Sequence, residues 1–196
     1  MTSMDSYWIP LQSVTPGGSE YRVDDQDFWQ SLLDEFDLDI RIAEPVEAGM
    51  AVLPQAEGVL FRGRVRGRVI LPCDRCSGDS SVELDHSFDS FEPFPRDYAP
   101  VVTAGPDPAG EAEPEEADEA VIRLGAHGRG IEINPAALAW EEFSLALPVK
   151  PLCSRDCKGL CPLCGCDRNT ESCSCGQGEG DPRLAVLRGL TIQKKQ

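Results

Sequence analysis

Residue types and motifs that carry out most enzyme chemistry are scarce in this sequence. It contains two histidines among 196 residues; we predict that His86 faces the core on a strand and that His127 lies in a glycine-rich turn. There is no G-x-S-x-G nucleophile motif, no phosphate-binding P-loop and no G-x-G-x-x-G dinucleotide motif. A catalytic zinc ion would need an open coordination position, commonly alongside His or Glu ligands. We therefore expect no catalytic residue, no enzyme activity and no small-molecule substrate.

Long apolar runs are also missing. No stretch approaches the ~20 apolar residues that span a bilayer, and the first residues, MTSMDSYWIPLQSV, lack the apolar core of a signal peptide. We expect a cytoplasmic protein with no membrane partner. Because the cytosol is reducing, the nine cysteines are better explained as metal ligands than as disulfides. Their odd number also leaves at least one outside any complete disulfide pairing.

Basic residues are few and unevenly distributed. The chain has 18 Lys and Arg against 34 Asp and Glu, which gives a net charge of −16. Residues 1–148 contain 10 basic and 29 acidic side chains, whereas residues 149–196 contain 8 and 5. Residues 102–120 carry seven acidic groups, no basic group and no aromatic residue, and we expect a disordered acidic loop there. An acidic body of this kind repels nucleic acid and attracts basic proteins.

The hydrophobic pattern of the first half predicts one helix among strands. The stretch YWIPLQSV is predicted as a first strand, and residues 24–40 as an amphipathic helix with Phe28, Leu32 and Phe36 on one face. Three later stretches alternate apolar and polar residues, as antiparallel strands do. Because helices and hairpins are segregated, we expect an α+β fold with an antiparallel sheet, for which a barrel-like form is one alternative.

The second half predicts a hairpin, a helix and a cysteine-rich end. AVIRLGAHGRGIEI reads as two strands joined by a turn, Asn134 as the N-cap of a helix, and DPRLAVLRGL as a closing helix capped by Asp181. The predicted organisation has four parts. They are a mostly β region with one helix at 1–101, the acidic loop at 102–120, a hairpin and helix that complete the core at 121–148, and a cysteine-rich zinc-binding segment with the closing helix at 149–196.

Four arginines alternate along one predicted strand, in FRGRVRGRVI, and share one face of it. They are Arg62, Arg64, Arg66 and Arg68. The next strand, SVELDHSFDS, offers an acidic ladder for cross-strand pairing. The same spacing, about 6.6 Å between alternate strand residues, also suits contacts to RNA phosphates or to another acidic partner. Both interpretations stay open at this stage, and intramolecular pairing is the favoured one.

Seven of the nine cysteines lie in PLCSRDCKGLCPLCGCDRNTESCSC. In this stretch Cys161-Pro-Leu-Cys164-Gly165 has the form of a zinc knuckle, in which two thiolates hold one ion and the glycine allows a tight turn. The short spacings predict a structural zinc cofactor. An iron–sulfur cluster is disfavoured because the Cys-x₂-Cys-x₂-Cys-x₃-Cys run is absent. A thioredoxin-type pair is disfavoured because no βαβ unit surrounds either Cys-x-x-Cys.

Spacing alone leaves the choice of four ligands open. The favoured set is Cys153, Cys157, Cys161 and Cys164, with Cys173 and Cys175 as alternates. Cys73 and Cys76, at a strand-to-strand turn, form a further pair that could join whichever C-terminal pair is left over. Eight cysteines would allow two ions, and Cys166 is then the simplest choice for the spare thiol.

Several of these segments together are characteristic of one family. LPVKPLCSRDCKGLCPLCG, the mid-chain LPCDRC, GIEINPAALAWEEFSLALP, an acidic insert and a closing DPRLAVL resemble the bacterial YceD family of large ribosomal RNA subunit accumulation proteins. The resemblance implies a non-enzymatic cytoplasmic factor for ribosome biogenesis, encoded near a small basic large-subunit ribosomal protein. Family members differ in how many C-terminal cysteines they keep, which implies a stabilising role for the metal. Cys166 is outside the usual pattern.

Charge and resemblance together suggest two mechanisms. In the first, the acidic body escorts a basic large-subunit ribosomal protein and screens it from non-specific RNA until delivery. In the alternative, the chain is a zinc-ribbon RNA-binding module that acts directly on precursor ribosomal RNA, through the arginine strand or the cysteine-rich end. The two differ in how RNA binding should respond to salt.

Overall fold

The computed structural model of the protein describes residues 4–95, 121–125 and 130–175. Its helices are α1 (Gln26–Glu35) and α2 (Pro135–Ala146), with short 3-10 turns at Met4–Tyr7 and Leu11–Ser13. Its strands are β1 (Ile9–Pro10), β2 (Ser19–Val23), β3 (Arg41–Pro54), β4 (Gly58–Pro72), β5 (Asp79–Pro93), β6 (Ile122–Leu124) and β7 (Ile131–Ile133). The α+β class predicted from the sequence is confirmed.

Two antiparallel sheets organise these strands. The larger has the order β2-β3-β4-β5 and the smaller the order β1-β7-β6. β4 and β5 pair in register over their whole length, from Gly58 opposite Pro93 to Pro72 opposite Asp79. The tip of this long hairpin, residues 73–78, therefore extends beyond the sheet, and it carries the pair Cys73 and Cys76.

The core lies between the apolar face of the larger sheet and the two helices. Asp25 caps α1 by accepting a hydrogen bond from the Asp27 N–H, and Asn134 caps α2 through the N–H groups of Ala136 and Ala137. Both helices contribute large side chains that are almost fully buried: Phe28, Trp29, Leu32 and Leu33 from α1, and Leu138 and Phe143 from α2. The rings of Trp29 and Phe143 lie 5.4 Å apart and join the helices.

The structure corrects the barrel-like alternative. Within the described residues neither sheet closes, and β2 and β5 are the edges of the larger one. The reason is that α2 lies against β2, β4 and β5, so the helix covers the apolar face that barrel closure would otherwise have to bury.

Two predicted elements are shorter than expected. Within YWIPLQSV only Ile9–Pro10 is strand, because 3-10 turns occupy either side of it. The helix predicted at 24–40 ends at Glu35: Phe36 is its C-cap and Asp37 follows with a left-handed φ of 50°. Phe36 is consequently 45% exposed, whereas Phe28 and Leu32 are buried as predicted.

Several expectations fall outside the described residues. They concern the acidic loop at 102–120, the turn that contains His127, and the closing helix capped by Asp181. Among the helices that the structure describes, none is long and apolar enough to cross a bilayer.

Candidate metal centre

The tip of the β4–β5 hairpin contacts the cysteine-rich segment through main-chain hydrogen bonds. The Asp74 N–H donates to the Pro151 carbonyl at 2.8 Å, and the Leu160 N–H donates to the Arg75 carbonyl at 3.0 Å. The Arg75 guanidinium also donates to the Cys157 carbonyl at 2.8 Å. These bonds bring together cysteines that are far apart in the sequence.

Four of those cysteines form what we call the first cluster: Cys73, Cys76, Cys153 and Cys157. Their sulfur atoms all lie within 4.8 Å of one another. The Sγ–Sγ distance is 3.8 Å between Cys73 and Cys157 and 3.6 Å between Cys76 and Cys153. A tetrahedral zinc ion with Zn–S bonds of about 2.3 Å requires sulfur atoms about 3.8 Å apart. The first cluster therefore has the dimensions of a four-thiolate zinc site.

A second cluster lies wholly within the C-terminal segment: Cys161, Cys164, Cys166 and Cys173. These sulfur atoms too are all within 4.8 Å of one another. The chain turns tightly here, since the Gly165 N–H donates to the Cys161 carbonyl at 2.8 Å and Gly165 has a φ of +76°. This is a conformation that glycine adopts without the steric cost of a side chain.

Main-chain N–H groups favour the thiolate form of one buried cysteine in each cluster. Hydrogen bonds from the Cys153 and Arg75 N–H groups lower the pKa of Cys73 to about 6. Those from the Cys164 and Leu163 N–H groups lower the pKa of Cys161 to about 6. Thiolates are the form that binds a metal. Each cluster thus contains at least one cysteine whose metal-binding thiolate form is favoured before a cation binds.

A neighbouring thiolate has the opposite effect on another cysteine. The Cys164 sulfur, followed by that of Cys173, raises the pKa of Cys166 to about 12. Several thiolates at such short distances repel one another, and a divalent cation removes that repulsion. The second cluster is therefore able to bind a metal ion with release of protons.

Asn169 links the two clusters. Its side-chain amide donates to Cys157 Sγ at 3.4 Å and lowers the pKa of that thiol. Its side-chain carbonyl accepts from the Lys158 N–H at 2.8 Å. Asn169 lies between Cys166 and Cys173 in the chain, so the fold of the second cluster orients a ligand of the first, a common arrangement around metal ligands.

The four cysteines that spacing favoured are not brought together. Cys153 and Cys157 lie with Cys73 and Cys76, whereas Cys161 and Cys164 lie with Cys166 and Cys173. The division occurs at Gly159, whose φ is +69° and whose Cβ position would lie 2.9 Å from the Arg75 carbonyl oxygen. The sequence feature that pointed to this division is the pair Cys73 and Cys76 at the hairpin turn. Together with Cys153 and Cys157 it makes up a set of four ligands. Cys166, expected as a spare thiol, lies inside the second cluster.

The arginine strand forms ion pairs within the fold. Arg62 pairs with Asp89 and Arg64 with Asp85. The Arg66 guanidinium is 3.8 Å from the Asp85 carboxylate, and that of Arg68 is 2.8 Å from the Glu44 carboxylate. All four guanidinium groups therefore have a carboxylate neighbour in the chain: that of Arg62, Arg64 and Arg66 lies on β5, the strand with the predicted acidic ladder, whereas that of Arg68 lies on β3.

Comparison with protein families gives a match that spans all nine cysteines and both clusters. The family model of the large ribosomal RNA subunit accumulation protein YceD matches residues 61–191. The chain belongs to the YceD family. The family description connects the protein with the accumulation of large-subunit ribosomal RNA. The YceD match begins within β4 and so leaves out β2, α1 and β3. Searches among curated proteins and among solved structures return no match for the chain.

Proposed function

We propose that this YceD family member is a non-enzymatic, cytoplasmic ribosome-biogenesis factor that escorts a basic large-subunit ribosomal protein and thereby supports accumulation of large-subunit ribosomal RNA. The observation that carries the proposal is the contrast between paired arginines and unpaired acidic groups. The arginines of β4 are engaged by carboxylates of the same fold, which leaves them poorly available to phosphates. In the described residues the acidic surface described next forms no ion pair of this kind, although Asp39 lies close enough to Arg41, the partner of Asp79, to interact with its charge.

That surface, which we call the acidic edge, spans the end of α1 and consists of residues 34–39. Asp34, Glu35, Asp37 and Asp39 are all exposed, and in the part of the chain that the structure describes no ion pair within 4.0 Å involves them. Phe36, 45% exposed and stacked on Trp140 at 5.4 Å, lies among them. Aromatic faces and carboxylates together suit Lys and Arg side chains, which carry an apolar stem and a positive head.

A titration with purified candidate basic ribosomal proteins tests the escort proposal. The edge variant carries E35Q, D37N and D39N; a control variant with the same charge change carries E20Q, E57Q and E83Q. At roughly 0.5 kcal/mol per exposed pair, three lost charges weaken binding about tenfold. We expect that loss for the edge variant and a smaller one for the control. Equal affinities of all three proteins for the basic partner would exclude the acidic edge as the binding surface.

We further infer that the first cluster holds a structural zinc ion that fastens the hairpin tip to the C-terminal segment. Support comes from its sulfur spacing and from the burial of Cys73 and Cys157, which are 2% and 4% exposed. In that position zinc would stabilise the fold, since its ligands come from segments that are far apart in the chain. Zinc analysis of a C73S variant should find one fewer ion per chain than in the unchanged protein.

The exposed basic side chains of the C-terminal segment favour the RNA-binding alternative. The C-terminal segment has exposed basic side chains, and within the described residues none of them forms an ion pair: Lys150, Arg155, Lys158 and Arg168. If they contacted precursor ribosomal RNA, affinity would fall steeply with added salt. Absence of RNA binding even at low salt would eliminate the alternative.

A further inference from the structure

One side of β5 is a long row of main-chain groups with no strand beside it. β5 has 15 residues and lies at the edge of the larger sheet, where, within the described residues, it pairs with β4 alone. The opposite edge, β2, has only five residues. An edge strand presents unpaired N–H and C=O groups to which another extended chain can add.

Two hydrogen bonds fix which residues of β5 direct their main chain away from β4. At one end of the hairpin the Cys73 N–H donates to the Gly78 carbonyl at 2.7 Å, and at the other the Phe94 N–H donates to the Glu57 carbonyl at 2.9 Å. Both pairs continue the register of β4 with β5. Because bonded and non-bonded pairs alternate in an antiparallel ladder, even-numbered residues of β5 bond to β4. The odd-numbered ones form what we call the outer side of β5: Ser81, Glu83, Asp85, Ser87, Asp89 and Phe91.

β5 is also strongly acidic, with five Asp and Glu residues and no Lys or Arg. Three of the five pair with arginines. Arg68 lies opposite Glu83 in the register but pairs with Glu44 of β3 instead. Among the residues that the structure describes, Glu83 and Glu92 consequently form no ion pair.

The helix α2 adds acidic groups next to this strand. His86 Nε2 lies 2.9 Å from Glu142 Oε2 and so joins β5 to α2. Partial burial raises the pKa of Glu141, and the charges of Glu92 and Glu142 raise it further. Carboxylates in this relation repel one another, and a Lys or Arg side chain beside them relieves the repulsion. Since alternate residues of an added strand face opposite sides of the sheet, basic residues would be favoured on both sides.

We propose that the outer side of β5 binds an extended segment of the escorted basic protein, rich in Lys and Arg, as an added strand of the larger sheet. This inference rests on the proposed escort function and supplies a binding mode for it. Main-chain hydrogen bonds hold the segment, and Glu83, Glu92 and Glu141 favour its positive charge. A second copy of the chain is a poorer occupant, because two β5 strands side by side would place acidic residues against one another.

Proline substitution on the outer side tests the proposal. The variant S81P/S87P removes two outward N–H groups, which an edge strand tolerates because they do not bond to β4. The control S81A/S87A has the same charge and keeps both groups, and circular dichroism shows that both variants are folded. The probe is a synthetic peptide of alternating lysine and valine. We expect the proline variant to bind it about 30-fold more weakly than the control, as the loss of two hydrogen bonds implies.

Amide hydrogen exchange, followed by NMR, provides a second test that needs no variant. Addition of the peptide should slow exchange at the odd-numbered amides from Ser81 to Phe91, whereas the even-numbered amides are protected already. Fast exchange of the odd-numbered amides in the complex would overturn the proposal, as would equal affinities of the proline and alanine variants. Protection of these amides in the chain alone would also overturn it, since the outer side would then already be covered.

Failure of this inference can be told apart from failure of the escort function. The same two variants are therefore titrated with purified basic large-subunit ribosomal proteins. If one of these binds both variants equally, the escort function stands and the added strand is excluded. If none binds even the unchanged protein, the escort proposal fails, and this inference fails with it.

Discussion

Removal of the four arginines of β4 should leave RNA affinity unchanged. The variant replaces Arg62, Arg64, Arg66 and Arg68 by Ser. Had these side chains contacted phosphates, each would contribute about 0.7 to 0.9 to the slope of log K against log salt concentration, and the four together about 3 to 4. Because each has a carboxylate neighbour within the fold, we expect a change near zero.

The assay is the affinity of a large-subunit ribosomal RNA fragment for the chain across a series of salt concentrations. A matched control removes the same number of charges from the cysteine-rich segment: K150S, R155S, K158S and R168S. Retained zinc and an unchanged circular dichroism spectrum show that both variants are folded. A slope that falls by about 3 to 4 units in the β4 variant, and less in the control, would refute the intramolecular assignment of these arginines.

Three further substitutions test other parts of the fold, each by urea unfolding at fixed free zinc. Phe143 is 1% exposed, so F143A should cost about 3–5 kcal/mol, whereas F91A, at a position 50% exposed, should change little. His86 Nε2 lies 2.9 Å from Oε2 of the buried Glu142, so H86A should lower the free energy of unfolding by about 1–3 kcal/mol by removing that partner. If the losses of stability in H86A and E142L add fully in the double variant, that result would contradict the contact. G159A should cost about 1–2 kcal/mol because φ is +69° there, and an unchanged midpoint would be evidence against that backbone conformation.

The sequence correctly predicted those helices and strands whose local residue pattern also suits the way they pack in the fold. Period-2 alternation located β4 and β5, and the Asn134 cap located α2, because both signals reflect local geometry. The strand prediction around Ile9 failed in most of its length because alternation over so few residues also fits 3-10 turns. The barrel-like alternative depended on what covers the sheet, and that is decided by α2, a long-range contact.

The grouping of the metal ligands was likewise predictable where it depends on local spacing and unpredictable where it depends on long-range contacts. Spacing identified Cys161 and Cys164 as one knuckle and Cys73 and Cys76 as a pair, since each pair is formed by a single turn of chain. The assignment of pairs to clusters depends on the close approach of Gly159 to Arg75. No local sequence pattern predicts that contact. The inclusion of Cys166 likewise follows from the tight turn at Gly165, which brings the thiol back toward Cys164.

The measurement that tests the central claim most directly is a native mass spectrum of the zinc-loaded chain mixed with purified basic large-subunit ribosomal proteins and, separately, with precursor ribosomal RNA. The escort account predicts a stoichiometric complex with one of the basic proteins, no complex with RNA at the same ionic strength, and loss of the protein complex in the variant E35Q/D37N/D39N. An RNA complex without any protein complex would contradict the account and make the cysteine-rich segment the functional surface.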